Sequence, residues 1–240
     1  MEKIAIIGAM SCEIDEIKKC LTDLKEISYQ DLKTFTGNIN DKFIILAQSG
    51  MGKVNAAINT QYIIDTFHPD TIINTGVAGG LGKGLKIGDI VIAEYLVQHD
   101  FDVTFLGYAK GYMFLGEDRK SPTKYLCDEK LLKTFEDLLN KKMTETKYYK
   151  GVIASGDIFV SDKKQKEEIN KTFNAIAVEM EGAAVAQTAV RNKIPFLVIR
   201  AISDMADGTE GEYRMNLEDI AKLAANSVKN FISIENFTVD

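Results

Sequence analysis

Short β-branched runs alternate with amphipathic stretches along the whole chain, the pattern of strands separated by helices. Residues 3–8 open it as a buried strand, with Ile4, Ala5, Ile6 and Ile7 ahead of Gly8. Over residues 11–24, Ile14, Ile17 and Leu21 recur at helical spacing and predict a helix. Residues 34–38 and 42–48 read as paired strands turning through Asn40-Asp41. Residues 53–67 predict a helix stopped by Pro69. Residues 71–75 then form a strand that runs into Gly76-Val77-Ala78-Gly79-Gly80. A strand over 89–97 leads to an irregular, aromatic-rich segment at 102–116, followed by a helix over 128–142 and a strand over 150–155. A polar helix spans 161–173 with Ser161 as its N-cap. A strand at 176–178, a helix at 182–192, a strand at 196–201 and a long helix at 217–232 complete the chain.

This alternation predicts one α/β domain over residues 1–240, with a mixed, mostly parallel central sheet flanked by helices on both faces. No internal repeat or linker interrupts it, and the 3 prolines leave little room for one. Hydrophobic residues make up 45%, enough for a substantial core without disulfides or a structural metal. Ligands of such folds gather at the carboxyl ends of the strands.

The net charge of −6 argues against nucleic acid or an anionic membrane as partner. No segment approaches the ~20 apolar residues that span a bilayer. Cys12, Cys20 and Cys127 form no CxxC pair and read as free thiols. The first eight residues lack the basic region and long apolar stretch of a signal peptide, so a cytoplasmic location is expected.

Several motifs fail on spacing. The glycine-rich run ending at Lys83 is one residue too long for a P-loop, and Gly84 stands where a magnesium-binding Ser or Thr belongs. No G-x-G-x-x-G follows the first strand, and no G-x-S-x-G elbow exists. His99-Asp100 has no companion ligands, so neither a metal nor a cofactor is expected. What remains is a set of acids at strand ends: Glu13, Glu179, Glu181 and Asp204. Singly, each has a plain reading as a first-turn acid or a helix cap.

Taken together they form a pattern. Val178-Glu179-Met180-Glu181-Gly182-Ala183-Ala184 and Arg200-Ala201-Ile202-Ser203-Asp204, with Asn74-Thr75-Gly76-Val77-Ala78-Gly79-Gly80 upstream, resemble the nucleoside phosphorylase and nucleosidase superfamily. Within it, the chain to about Ile232 resembles the 5′-methylthioadenosine/S-adenosylhomocysteine nucleosidases. Four further blocks carry that likeness: Ile6–Met10, Ser49–Val54, His99–Thr104 and Ser155–Val160, in the right order.

The resemblance implies a hydrolase that releases adenine from methylthioadenosine and S-adenosylhomocysteine, and by the same contacts from 5′-deoxyadenosine. Adenine leaves poorly until N7 is protonated, and Asp204 is expected to hold and donate that proton. Glu13 is expected to orient or deprotonate the attacking water. Glu181 would accept the ribose hydroxyls, with Arg200 positioning that carboxylate and Ser203 supporting Asp204. The transition state would resemble an oxocarbenium ion. The base would lie against Phe159 and be read by backbone groups of Phe159 and Val160, with Val77, Ala78 and Gly79 beside the ligand and Glu179 and Met180 leading into Glu181. Val77 stands where some members carry serine. Met10, Met51, Val103, Leu106, Met180 and Leu217 would make an apolar 5′ pocket, methionine suiting a thioether guest. Phe114 would reach into it from the partner subunit of a homodimer.

Three rivals stand beside this reading. A phosphorylase would need cationic donors for phosphate, typically within an early Gly-Asp-Pro-x-Arg segment and as an arginine before the glycine-rich turn. Here Gly8-Ala9-Met10-Ser11-Cys12-Glu13 and Asn74-Thr75 stand instead, and a glutamate repels an anion but suits a water. A futalosine-type hydrolase would share the catalytic set and differ in the 5′ pocket. A silent nucleoside-binding protein would have no need of Glu13, Glu181 and Asp204 together.

Overall fold

The computed structural model describes residues 1–114, 118–208 and 210–234, side chains 210–216 excepted. Its strands are β1 (Lys3–Gly8), β2 (Thr22–Tyr29), β3 (Leu32–Ile39), β4 (Lys42–Gln48), β5 (Thr71–Gly80), β6 (Ile90–Gln98), β7 (Tyr125–Leu126), β8 (Tyr148–Ser155), β9 (Ala175–Glu179) and β10 (Phe196–Asp204). Its helices are α1 (Ser11–Lys18), α2 (Lys53–Phe67), α3 (Glu129–Lys142), α4 (Lys163–Phe173), α5 (Gly182–Asn192) and α6 (Glu210–Ile232).

The strand order is β10-β6-β8-β9-β5-β1-β4-β3-β2, with β7 on β6 and a further pairing of β10 with β5. That last pairing closes β5, β10, β6, β8 and β9 into a ring, from which β1, β4, β3 and β2 continue as an open sheet. The α/β architecture follows from the alternation, and the sheet is mixed as expected, with parallel β1–β4, β1–β5, β5–β10, β6–β8 and β8–β9 pairings at its centre. β2–β3, β3–β4, β5–β9, β6–β7 and β6–β10 all pair antiparallel. β1, β5 and β10 are buried almost throughout, as continuous apolar strands should be. α1 packs with α6, and α2 with α5. No helix among the described residues is long and apolar enough to cross a membrane.

Local chemistry explains most boundaries. α2 stops at His68, which takes a left-handed conformation (φ 50°) ahead of Pro69. Asp128 caps α3 by accepting from Leu131 N (2.9 Å), and Leu131, Phe135, Leu138 and Leu139 form its buried face. The cap of α4 is Asp162, not Ser161: its carboxylate accepts from Gln165 N at 3.0 Å. The helix expected over 11–24 ends at Lys18, and Thr22–Tyr29 is an edge strand on β3. Seven of its eight residues are exposed, so it carries no alternating apolar signal. α6 begins at Glu210, seven residues ahead of the predicted start at 217.

Candidate active site

β1 ends at Gly8, and the chain turns through Ala9 and Met10 into α1. Glu13 lies in the first turn and folds its carboxylate back over the helix start. Oε2 accepts from Ala9 N (2.7 Å) and Met10 N (2.9 Å), and Oε1 accepts from Val77 N on β5 (3.0 Å). Gly76 makes this approach possible, because a Cβ there would fall 2.5 Å from Glu13 Oε1. Glu13 is 3% exposed. Burial raises its pKa, against the opposing pull of the Met10 N–H, Arg200 and the Val77 and Ala9 N–H groups.

Asp204 closes β10 next to a bulge: Ile202 pairs with Ala78 and Asp204 with Gly79, so two steps on β10 match one on β5. Oδ2 accepts from Ser203 Oγ (2.8 Å), and Oδ1 accepts from Ala206 N (2.8 Å). A Cβ at Gly79 would lie 3.2 Å from Oδ1. Glu13 and Asp204 thus meet β5 at Gly76 and Gly79, two glycines that stand about 10 Å apart along an extended strand.

Glu179 ends β9 and is buried. It accepts from Arg200 Nη2 (2.5 Å), from Ser155 Oγ, and from Glu181 N (3.1 Å) and Gly182 N (2.7 Å). Burial alone would raise its pKa, but Arg200 and the Ser155 hydroxyl hold it below the usual carboxylate value. The guanidinium of Arg200 also donates to Asn74 Oδ1 (2.5 Å). Arg200 therefore pairs with Glu179 and not directly with Glu181. Its hold on Glu181 runs through the Glu181 N–H that Glu179 accepts. Glu181 itself stands ahead of α5, and its Oε1 accepts from Gly52 N (2.7 Å). Burial and the neighbouring Glu179 charge push its pKa up to about 8, and the Gly52 N–H opposes them.

These acids share one cleft open to solvent, about 530 Å³ with the open space counted. It brings together Met10, Glu13, Met51, Val77, Ala78, Gly79, Phe159, Val160, Glu179, Met180, Glu181, Ser203 and Asp204. Ala9, Ile158 and Val178 also line it. The sequence places those three within family-like blocks but does not mark them as site residues. Arg200 lies beneath the cleft, 2% exposed. Val103, Leu106, Phe114 and Leu217 are not among the lining residues of this chain. Val103 precedes a short 3-10 turn (Thr104–Leu106) in which Leu106 is exposed, Phe114 packs against Tyr108 and Tyr112, and Leu217 is half-buried on α6. Leu115 and Gly116, the end of the predicted aromatic segment, lie outside the described residues. No lysine or arginine is among the described lining residues, and no group of three His, Cys, Asp or Glu among the described residues could hold a metal.

Buried carboxylates at and just beyond strand ends line a cleft without a described lysine or arginine, an arrangement suited to proton transfer on an uncharged group. The sequence model of the phosphorylase superfamily matches residues 3–234. A 5′-methylthioadenosine/S-adenosylhomocysteine nucleosidase of Staphylococcus haemolyticus is 42% identical over 96% of this chain and 99% of its own. The Neisseria meningitidis nucleosidase of that name, solved in complex with methylthio-immucillin-A, superposes with a TM-score of 0.91 at 38% identity, covering 97% of this chain and 99% of that one. A futalosine hydrolase mutant of Helicobacter pylori superposes with a TM-score of 0.90 at 35% identity, over 97% and 99% of the two chains. The chain belongs to the phosphorylase superfamily and, within it, to the 5′-methylthioadenosine/S-adenosylhomocysteine nucleosidase family.

Proposed function

We propose that the chain hydrolyses the N-glycosidic bond of 5′-methylthioadenosine and S-adenosylhomocysteine, with Asp204 as general acid and Glu13 as general base. The observation that carries this reading is the pair of buried carboxylates at Gly76 and Gly79 of β5 in one cleft, with Glu181 beside them. Two carboxylates in one cleft suit glycoside hydrolysis, one acting on the leaving group and the other on the water.

Asp204 gives its proton to N7 of adenine as the C1′–N9 bond breaks, so the base departs neutral. Water adds to C1′, and its proton passes to Glu13, whose raised pKa suits it to receive one. Ser203 holds Asp204 from below. Glu181 accepts the ribose hydroxyls and, in its ionised form, offsets the cation that develops on the ring. Phe159 packs on the base, and Met10, Met51 and Met180 take the 5′ thioether. The absence of cationic side chains from the described lining favours water over phosphate. Its three free cysteines suit a reducing cytoplasm.

The deciding experiment is adenine release from methylthioadenosine, with and without phosphate, with the sugar product identified. Equal rates and free 5-methylthioribose are expected. A strict phosphate requirement with a sugar 1-phosphate product would replace this reading by the phosphorylase one. The same contacts extend to 5′-deoxyadenosine.

The cleft is open on its 5′ side, where Met51 is 61% exposed. Phe105, Leu106 and Phe114 are also exposed, an apolar set that a second copy would cover. We therefore assign a homodimer in which the partner subunit's Phe114 completes the 5′ pocket, with Val103 and Leu106 on the same segment. Sedimentation at micromolar concentration should give a dimer, and a fully active monomer would remove this assignment.

A further inference from the structure

Two consecutive peptide N–H groups at the start of α2 serve two different carboxylates. Gly52 N donates to Glu181 Oε1 (2.7 Å), and Lys53 N donates to Asp157 Oδ1 (2.7 Å). Gly52 adopts φ 93°, ψ 158°, a region essentially confined to glycine. A Cβ there would also meet Asp157 Oδ1 at 3.1 Å. Asp157 comes from the segment after β8, so it caps α2 from a distant part of the chain, its charge placed at the positive helix end.

Asp157 is itself held. Its N–H donates to Asp100 Oδ2 (2.8 Å), and Asp100 Oδ1 accepts from Lys53 Nζ (2.5 Å). Lys53 Nζ also lies 3.9 Å from Asp157 Oδ2 and donates to Gln98 Oε1 (3.1 Å). Backbone and side chain of Lys53, the carboxylate of Asp157 and that of Asp100 thus close a ring of interactions. On one side of the ring is the Gly52 peptide that touches Glu181. On the other, two residues beyond Asp157, is Phe159.

We propose that Asp157 is a positioning residue for glycosidic cleavage: with Asp100 and Lys53 it clamps the 157–160 loop to the start of α2 and so aims the Gly52 N–H at Glu181. The proposal rests on the reading of Glu181 as the ribose-binding carboxylate. The physical consequence is specific. The Gly52 N–H favours the charged form of Glu181 against burial and Glu179. A Gly52 peptide free to turn would leave Glu181 harder to ionise and the ribose less firmly aligned with Glu13 and Asp204.

The test compares Asp157→Ala, Asp157→Asn and Glu181→Gln with the wild type, using kcat, KM and the pH profile of kcat/KM on methylthioadenosine. The Asp157 side chain is 48% exposed, so its truncation opens no cavity and the Ala variant should fold. Asp157→Ala is expected to lower kcat/KM about ten- to a hundredfold, chiefly in kcat, as small misplacements near a reacting centre do. The ascending limb that depends on Glu181, absent in Glu181→Gln, should move to higher pH in the Ala variant. Asp157→Asn keeps an acceptor for the Lys53 N–H and should stay within about threefold of wild type, since Asn caps as well as Asp. A wild-type rate in Glu181→Gln would overturn the reading of the site itself. With Glu181→Gln impaired, an unchanged Asp157→Ala or a loss without the shifted limb would overturn the positioning role. So would a loss in Asp157→Asn as large as that expected of Ala, whether or not the Ala variant folds.

Discussion

Asp204→Asn should lower kcat about 10³–10⁴-fold, at the upper end of what one general acid contributes, while the protein still folds and still binds substrate. Asparagine matches aspartate in shape. Its carbonyl can keep the Ala206 N–H (2.8 Å in the wild type), and Ser203 Oγ can turn to accept from its amide. What it cannot supply is a proton for N7, so adenine would have to leave as an anion. The measurement is the single-turnover rate of adenine release, with calorimetry for binding and a melting curve for the fold. A rate within tenfold of wild type would take the acid role from Asp204.

Glu13→Gln should cost about 10²–10⁴-fold in turnover and, unlike the Asp204 substitution, some stability as well. The Glu13 carboxylate accepts three backbone N–H groups, two on Oε2 and one on Oε1. A glutamine has one acceptor oxygen and one amide that only donates. Whichever way it turns, at least one buried N–H faces another donor, a loss of about 1–3 kcal/mol. Substrate affinity should change far less than kcat, since the group acts on water and not on the nucleoside. Calorimetry showing the larger loss in binding would reassign Glu13 to ligand recognition.

Much of this site was legible because strand-end acids are conspicuous in an α/β chain. Glu13, Glu181 and Asp204 each follow a short apolar run, and the resemblance placed the glycine-rich residues 76–80 beside the ligand. The structure identifies what approaches: Gly76 admits Glu13 Oε1, and Gly79 lies against Asp204. The pairing of Arg200 was not legible. Glu179 and Glu181 are two residues apart, and either could face a guanidinium from β10. Ser155 and the N–H groups of Glu181 and Gly182 settle Glu179 as the partner by packing around it. Gly52, Lys53, Asp100 and Asp157 were visible as residues of family-like blocks, yet their roles depend on contacts between segments 47 to 129 residues apart.

By itself, the sequence determined the succession of helices and strands wherever one face is buried, since burial imposes a period of 2 or 3.6 on apolar positions. It also determined which acids stand at strand ends, and the family. Tertiary structure decided the strand identity of Thr22–Tyr29, the closure of β10 onto β5, and the bulge that turns Asp204 into the cleft. It likewise decided which donor each buried carboxylate receives. Exposed strands leave no periodicity to read, and hydrogen bonds between distant segments form only once the core has brought their backbones together.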